Sequence, residues 1–308
     1  MNRRVQADFA LALCSLLWGA TFVVVQNALA DASVFTFLAL RFTLAALLMA
    51  AIYHRDLRRV TRDELRAGFV IGLFMFGGYV FQTAALLITT PSKTAFITGF
   101  GVVLVPILMA VLWGRHINAW IWSGALGALG GLYFLTVPAA GLAHLSRGDL
   151  LAFVCAVLFA LQVIFVGRYS PLYSVGGLSF LQVATSAALS LAALPLLAIT
   201  RWELPRAHLT GGLIFAVLVT AVLATAVAFS VQVWAQQYTS ATHTALLLAL
   251  EPVFAALTSF IVLHERLGAR ALAGAALILG GILVAELKGP VQASADATGA
   301  VRESSPNN

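Results

Sequence analysis

The sequence predicts an all-α integral membrane protein: ten transmembrane helices, arranged as two homologous five-helix repeats inverted relative to each other. Three observations predict it. The composition is too apolar for a chain dissolved in water, ten apolar runs have spanning length, and a set of matched residues repeats across the two halves.

Composition sets the solvent. Of the 308 residues, 61% are hydrophobic and only 10% charged, with a mean hydropathy of +0.97. A soluble domain carries about 25% charged residues, because its surface must face water. The missing charge implies a surface that faces lipid. The net charge of +6 is therefore not a nucleic-acid footprint, and no nucleic-acid partner is expected. Cys14 and Cys155 lie inside apolar runs and read as small core residues rather than a disulfide framework or a metal site.

The first run, Asp8–Leu29, follows Asn2-Arg3-Arg4 and precedes Ala30-Asp31-Ala32, a loose likeness of a signal-peptide cleavage site. It is long enough to span, whereas a signal h-region needs only ~7–15 residues, and a copy of it recurs later. It is read as the first helix. The runs Ala32–Tyr53, Arg66–Ile88, Ser92–Trp113 and Asn118–Val137 complete a first unit, assigned to residues 1–140. Gly148–Arg168, Val175–Thr200, Leu209–Gln237, Ala241–Leu263 and Gly268–Leu287 make a second, assigned to 141–288. Short connections make successive helices antiparallel neighbours. The polar segment 289–308, rich in Ser, Ala and Asn, is expected to be a disordered cytoplasmic tail.

Basic residues set the orientation. The loop after the second run reads His54-Arg55-Asp56-Leu57-Arg58-Arg59-Val60-Thr61-Arg62, with Arg66 just beyond. Placing it in the cytoplasm puts both termini inside, with eleven Lys or Arg inside, six outside and Arg41 within the second run, as the positive-inside rule expects.

The repeat is the most informative feature. At an offset of 150, Tyr79-Val80-Phe81-Gln82 faces Phe229-Ser230-Val231-Gln232, and Thr94-Ala95 faces Thr244-Ala245. Gly124-Ala125 and Gly130-Gly131 face Gly274-Ala275 and Gly280-Gly281. At slightly smaller offsets Asp8 and Cys14 match Asp149 and Cys155, and Phe37-Leu38 matches Phe180-Leu181. Single matches between apolar helices arise by chance, but an ungapped register across three helices does not. Because each unit has an odd number of runs, the second must enter from the opposite side. Such inverted repeats favour alternating access around a site near the midplane.

Leu17-Trp18-Gly19-Ala20-Thr21-Phe22 resembles the opening of an EamA module of the drug/metabolite transporter superfamily. Arg41 fits the same pattern. So do Leu250-Glu251-Pro252-Val253-Phe254-Ala255-Ala256, His264-Glu265-Arg266-Leu267 and the closing Gly280-Gly281. The similarity covers Asp8 to Glu286, and the second module matches more specifically. It implies a ten-helix inner-membrane exporter of small metabolites, often amino acids, with the YddG-type amino-acid exporters as the branch. The first half departs from the pattern, carrying Gly101-Val102 and Arg115 where the second has Glu251-Pro252 and Glu265.

No Walker-type loop, His-Glu-x-x-His or Gly-x-Ser-x-Gly is present, which argues against ATP hydrolysis and against an enzyme; no cofactor is expected. Polar groups deep in lipid are costly and become candidate sites. Gln82 and Gln232, equivalent by the repeat, and Gln162 beside Phe159 either bind a substrate's polar end or bond helices together, at ~0.6–2 kcal/mol each. Tyr79 one turn from Gln82, like Phe229 from Gln232, presents an aromatic-plus-amide face twice. Trp18, at mid-span beside Gly19, either lines a cavity near a flexible point or fills space.

Glu251 and Arg41 are the charges nearest mid-depth. Pro252 should kink the ninth run and free a carbonyl one turn earlier. Glu251 then either carries a proton or braces the kink, the bracing role implying facilitated or weakly coupled transport. Arg41 is expected to be structural or snorkelling, close enough to Glu251 to influence it. Gly127, Gly130-Gly131 and Gly280-Gly281 point to close helix packing, with a homodimer face as one use. Lys93 and His243 read as solvated helix starts.

The expected function is secondary transport of small amphiphilic metabolites, above all amino acids including aromatic ones, in a bacterial-type inner membrane. Trp18, Tyr79, Gln82, Phe159, Gln162 and Gln232 are expected to bind substrate in a central cavity. A flippase for lipids or lipid-linked sugars, a membrane enzyme and a passive channel remain the alternatives.

Overall fold

Helices start where a side chain can accept one of the orphan N–H groups of a first turn. The computed structural model describes residues 2–89, 91–137, 146–201, 203–262 and 268–288, nearly all helical. In chain order these are α1 (Arg3–Ala28), α2 (Val34–Ile52), a short α3 (His54–Leu57), α4 (Arg62–Ile88), α5 (Pro91–Thr98) and α6 (Gly101–Trp113). Then follow α7 (Ala119–Thr136), α8 (Arg147–Tyr169), α9 (Val175–Thr200), α10 (Gly211–Ala221), a π-helical segment (Val222–Val227) and α11 (Ala228–Ala235). The last are α12 (Ala241–Leu248), α13 (Glu251–Val262) and α14 (Ala269–Lys288). Asn2, Thr61, Asn118, Ser174, Thr210 and Ser240 cap helices with a side-chain oxygen. Ser146 and Asp149 close a reciprocal capping box at α8. The His264–Leu267 motif, the tail 289–308 and the Lys93 side chain lie outside the described residues.

Among the described residues eight helical runs, three of them the interrupted pairs α5–α6, α10–α11 and α12–α13, are long and apolar enough to cross a membrane. Helices α7, 18 residues, and α14, 20 residues, are apolar as well and at 1.5 Å per residue reach ~27 and ~30 Å, close to the ~30 Å hydrocarbon core. A Cβ added to Gly124 would stand 2.6 Å from the Gly281 carbonyl oxygen, and one on Gly281 would stand 2.6 Å from that of Gly124. Gly131 and Gly274 oppose each other in the same way at 2.5 and 2.6 Å. Of the glycines expected to pack closely, Gly131 and Gly281 do so, α7 against α14, and Gly127 lies in ordinary contact, whereas a Cβ on Gly130 or Gly280 would meet nothing within 4 Å. Rising numbers on α7 meet falling numbers on α14, so the two helices run antiparallel.

The remaining interfaces come in matched pairs. Helix α4 packs on α8 and α9, while α1 and α2 pack on the α10–α11 segment. The α5–α6 segment packs on α8, and the α12–α13 segment on α1. No hydrophobic force joins helices in lipid, so close approach and polar bonds must do it. Ser15 donates to the Leu247 carbonyl at 3.1 Å, and Ser186 to that of Gly72 at 3.1 Å. Outward faces carry Phe9, Leu47, Val111, Ile199 and Leu209, each more than 60% exposed, an apolar surface no soluble monomer would show.

The helix run at Glu251-Pro252 is interrupted as expected: α12 ends at Leu248 and α13 begins at Glu251, because Pro252 has no N–H for the Leu248 carbonyl. A second break, between Thr98 and Gly101, sits 150 residues earlier without a proline at its matching position. The π segment in the eighth run has no such mark, its residues being Val, Leu, Ala and Thr.

Candidate functional site: a central cavity with two separated charges

Both broken helices converge on one cavity, and the π segment holds one of its lining side chains, Arg41, through Ala224 and Thr225. Its walls come from α1, α2, α4, α5, α6, α8, α11, α12 and α13, drawing on both halves of the chain. Gly19 makes the assembly possible, since a Cβ there would stand 2.4 Å from the Glu251 carbonyl oxygen and 2.9 Å from the Ala255 nitrogen. The residue marks a close crossing of α1 and α13 rather than a flexible point.

Trp18, Tyr79, Gln82, Phe159, Gln162, Gln232, Arg41 and Glu251 all line this cavity. The aromatic side chains form a continuous wall. Tyr79 stands edge-on to Phe42, Phe159 and Phe229 at 5.2, 5.1 and 6.1 Å between centroids, and Trp18 leans on Phe229 at 5.3 Å. The Trp18 indole N–H donates to the Ala224 carbonyl at 2.8 Å.

The three candidate amides divide. Gln162 and Gln232 are 1% exposed and bonded to each other in both directions, at 3.2 and 3.3 Å. Gln162 also donates to Gln182 at 3.0 Å. Their amides hold α8, α9 and α11 together, so the bonding alternative is the one the geometry realises for this pair. Gln82 makes no hydrogen bond among the described residues and keeps its amide for the cavity.

Arg41 does not snorkel. It is 2% exposed, with Nε donating to Thr225 Oγ1 at 2.8 Å and Nη2 to Tyr79 Oη at 3.1 Å and the Ala224 carbonyl at 3.3 Å. Its guanidinium lies 4.4 Å from the Tyr79 ring centroid, a cation–π contact. Arg41 and Glu251 form no ion pair, and among the described residues the Glu251 carboxylate makes no hydrogen bond that would brace the kink. His243 is mostly buried and stands 3.2 Å from Asp8, not a solvated helix start.

Sequence reasoning did not select Phe22, Leu86 or Val105, which also line the cavity. No signal marks them, because an apolar residue facing a cavity reads like one facing a neighbour. Phe229, also in the wall, was signalled as the repeat partner of Tyr79. Among the described residues no group of His, Cys, Asp and Glu could hold a metal ion. The cavity offers about 110 Å³ to the centres of water-sized molecules. Since one water takes roughly 10–15 Å³ on that measure, it fits a molecule of several heavy atoms.

The model of the EamA-like transporter family matches residues 5–137 and 146–287. A protein of Archaeoglobus fulgidus named as an uncharacterized transporter is 35% identical over 286 residues, covering 93% of this chain and 87% of its own. A crystal structure superposes with a TM-score of 0.74 over 92% of this chain and 97% of its own, at 22% identity, a likeness of fold.

Proposed function

Since this chain belongs to the EamA-like transporter family, within the drug/metabolite transporter superfamily, we propose that it is a secondary transporter exporting small amphiphilic metabolites, chiefly amino acids, aromatic ones among them. The single observation that carries this reading is the cavity shared by both halves, walled by Trp18, Tyr79, Phe159 and Phe229 and supplied with few polar groups. Such a lining holds an apolar side chain by area and orients its polar end by a few hydrogen bonds. Specificity is broad, because an apolar pocket discriminates one methylene by only ~1–3 kcal/mol.

The architecture we infer is ten spans, with α7 and α14 as the fifth and tenth, in two inverted units. The reciprocal Gly124–Gly281 and Gly131–Gly274 contacts between antiparallel helices support an in-plane pseudo-two-fold axis, the basis for alternating access. Both termini are cytoplasmic and the protein resides in an inner membrane. Cavity size favours a metabolite over a lipid-linked substrate.

Reconstitution into liposomes with a panel of labelled amino acids, with and without a pH gradient, tests the reading. Saturable, cross-competed uptake of several apolar amino acids is the expected result, and the arm with a pH gradient reads whether that uptake is coupled to protons. Absence of uptake and counterflow for the whole panel defeats it, and non-saturating flux would make the protein a channel.

A further inference from the structure

The cavity is lined by an arginine and a glutamate, Arg41 and Glu251, for neither of which the described residues supply an ion-pair partner. Every acceptor of Arg41 is uncharged: the Thr225 hydroxyl, the Tyr79 phenol and the Ala224 carbonyl. Among the described residues no carboxylate lies within ion-pairing distance of it, and Nη1 carries no hydrogen bond. A guanidinium nearly removed from solvent, clamped along one edge and free at another, is a preorganised fork for a planar anion. The π segment builds the clamp, supplying both the Ala224 carbonyl and the Thr225 hydroxyl. Single π-turns inside α-helices recur at functional sites.

Glu251 lines the same cavity from the first turn of α13. Its carboxylate has neither ion pair nor hydrogen bond among the described residues. One turn earlier, the Leu248 carbonyl lacks its helical donor because residue 252 is proline. Acceptors without donors at one place and donors without an anion at another are a costly arrangement inside a membrane.

We propose that Arg41 and Glu251 are the two halves of a zwitterion seat. Arg41 takes the carboxylate of an α-amino acid, Glu251 takes its ammonium group, and the rings of Trp18, Tyr79, Phe159 and Phe229 take the side chain. The inference rests on the amino-acid reading above and deepens it by giving each charge a ligand group. An anion alone would leave Glu251 unneutralised, and a cation alone would leave Arg41 so; a zwitterion answers both. A substrate with a charged side chain would press a third charge against the aromatic wall and is disfavoured.

The test uses the full-length protein and three probes with one side chain: phenylalanine, its carboxamide, which lacks the carboxylate, and 3-phenylpropionate, which lacks the ammonium. Binding is measured where the amines are charged. Each truncated probe should bind the unmodified protein roughly ten- to a hundredfold more weakly, as loss of a charge-assisted hydrogen bond predicts. Arg41→Gln should weaken phenylalanine and phenylpropionate but spare the carboxamide, and Glu251→Gln should weaken phenylalanine and the carboxamide but spare phenylpropionate. Equal binding of all three probes by the unmodified protein overturns the inference while leaving amino-acid transport standing. So does an Arg41→Gln variant that weakens all three alike. Should that variant not fold, the probe series on the unmodified protein decides alone. An unmodified protein that binds none of the three overturns the inference together with the aromatic amino-acid reading.

Discussion

Tyr79 and Phe229 occupy matching places in the two halves of the sequence, and in the folded chain their rings meet edge to face, centroids 6.1 Å apart and planes at 74°. The repeat therefore closes on itself at the cavity wall. The pair is not chemically equal, since only Tyr79 has a hydroxyl, and that hydroxyl accepts from Arg41.

Tyr79→Phe keeps the ring contacts and removes that acceptor. It should lower stability by ~1 kcal/mol, read as a fall in unfolding temperature in detergent, and weaken substrate binding by loosening the Arg41 clamp. Tyr79→Ala removes the ring as well and should cost ~3–5 kcal/mol. A Phe variant unchanged in both measurements would show that the clamp does not depend on the phenol.

The buried amides give a second expectation. Gln162→Leu strands the partner groups on Gln182 and Gln232 and should cost ~1–3 kcal/mol, because buried polar groups are then left unpaired. Gln82→Leu breaks no hydrogen bond among the described residues, so stability should hold while amino-acid affinity falls. Thermal unfolding and counterflow on the same preparations separate the two. The reverse pattern would exchange their roles.

Glycines on α7 should differ sharply over one residue. Gly131→Ala forces a methyl to within 2.5 Å of the Gly274 carbonyl oxygen, whereas a Cβ on Gly130 meets nothing within 4 Å. Gly131→Ala should destabilise by roughly 1–3 kcal/mol through overpacking, and Gly130→Ala should be neutral. Equal effects would mean that α7 and α14 do not cross in this way.

Orientation can be checked with single cysteines, since Cys14 and Cys155 are buried. Thr61 and His208 are both exposed, in connections on opposite sides of the proposed topology. An impermeant thiol reagent added to intact cells should label His208→Cys and leave Thr61→Cys unlabelled until the membrane is opened. Labelling of Thr61→Cys in intact cells reverses the topology.

Much of the architecture was legible because lipid imposes simple rules on a chain. A helix crossing hydrocarbon must satisfy its own backbone and stay apolar for ~20 residues, so composition alone marked the runs, and ungapped matches such as Gly130-Gly131 with Gly280-Gly281 marked two related units. Pro252 announced one helix break through its missing N–H. Trp18, Arg41, Gln82 and Glu251 stood out because a polar or amphipathic group at mid-span is expensive unless something answers it.

Tertiary structure alone decided how those groups are answered. Gln82 and Gln232 are the same residue at matching positions, yet Gln232 is tied to Gln162 while Gln82 makes no hydrogen bond among the described residues. That difference depends on which neighbour each helix meets, which no local pattern encodes. The break at Gly99-Phe100 falls between two glycines, which stabilise a helix poorly, whereas the π segment at Val222–Val227 contains neither glycine nor proline to announce it. The separation of Arg41 from Glu251 follows from three-dimensional placement for the same reason: α2 is held to the π segment by Arg41 itself, while α13 is set by its crossing at Gly19, where only a hydrogen atom fits against the Glu251 carbonyl.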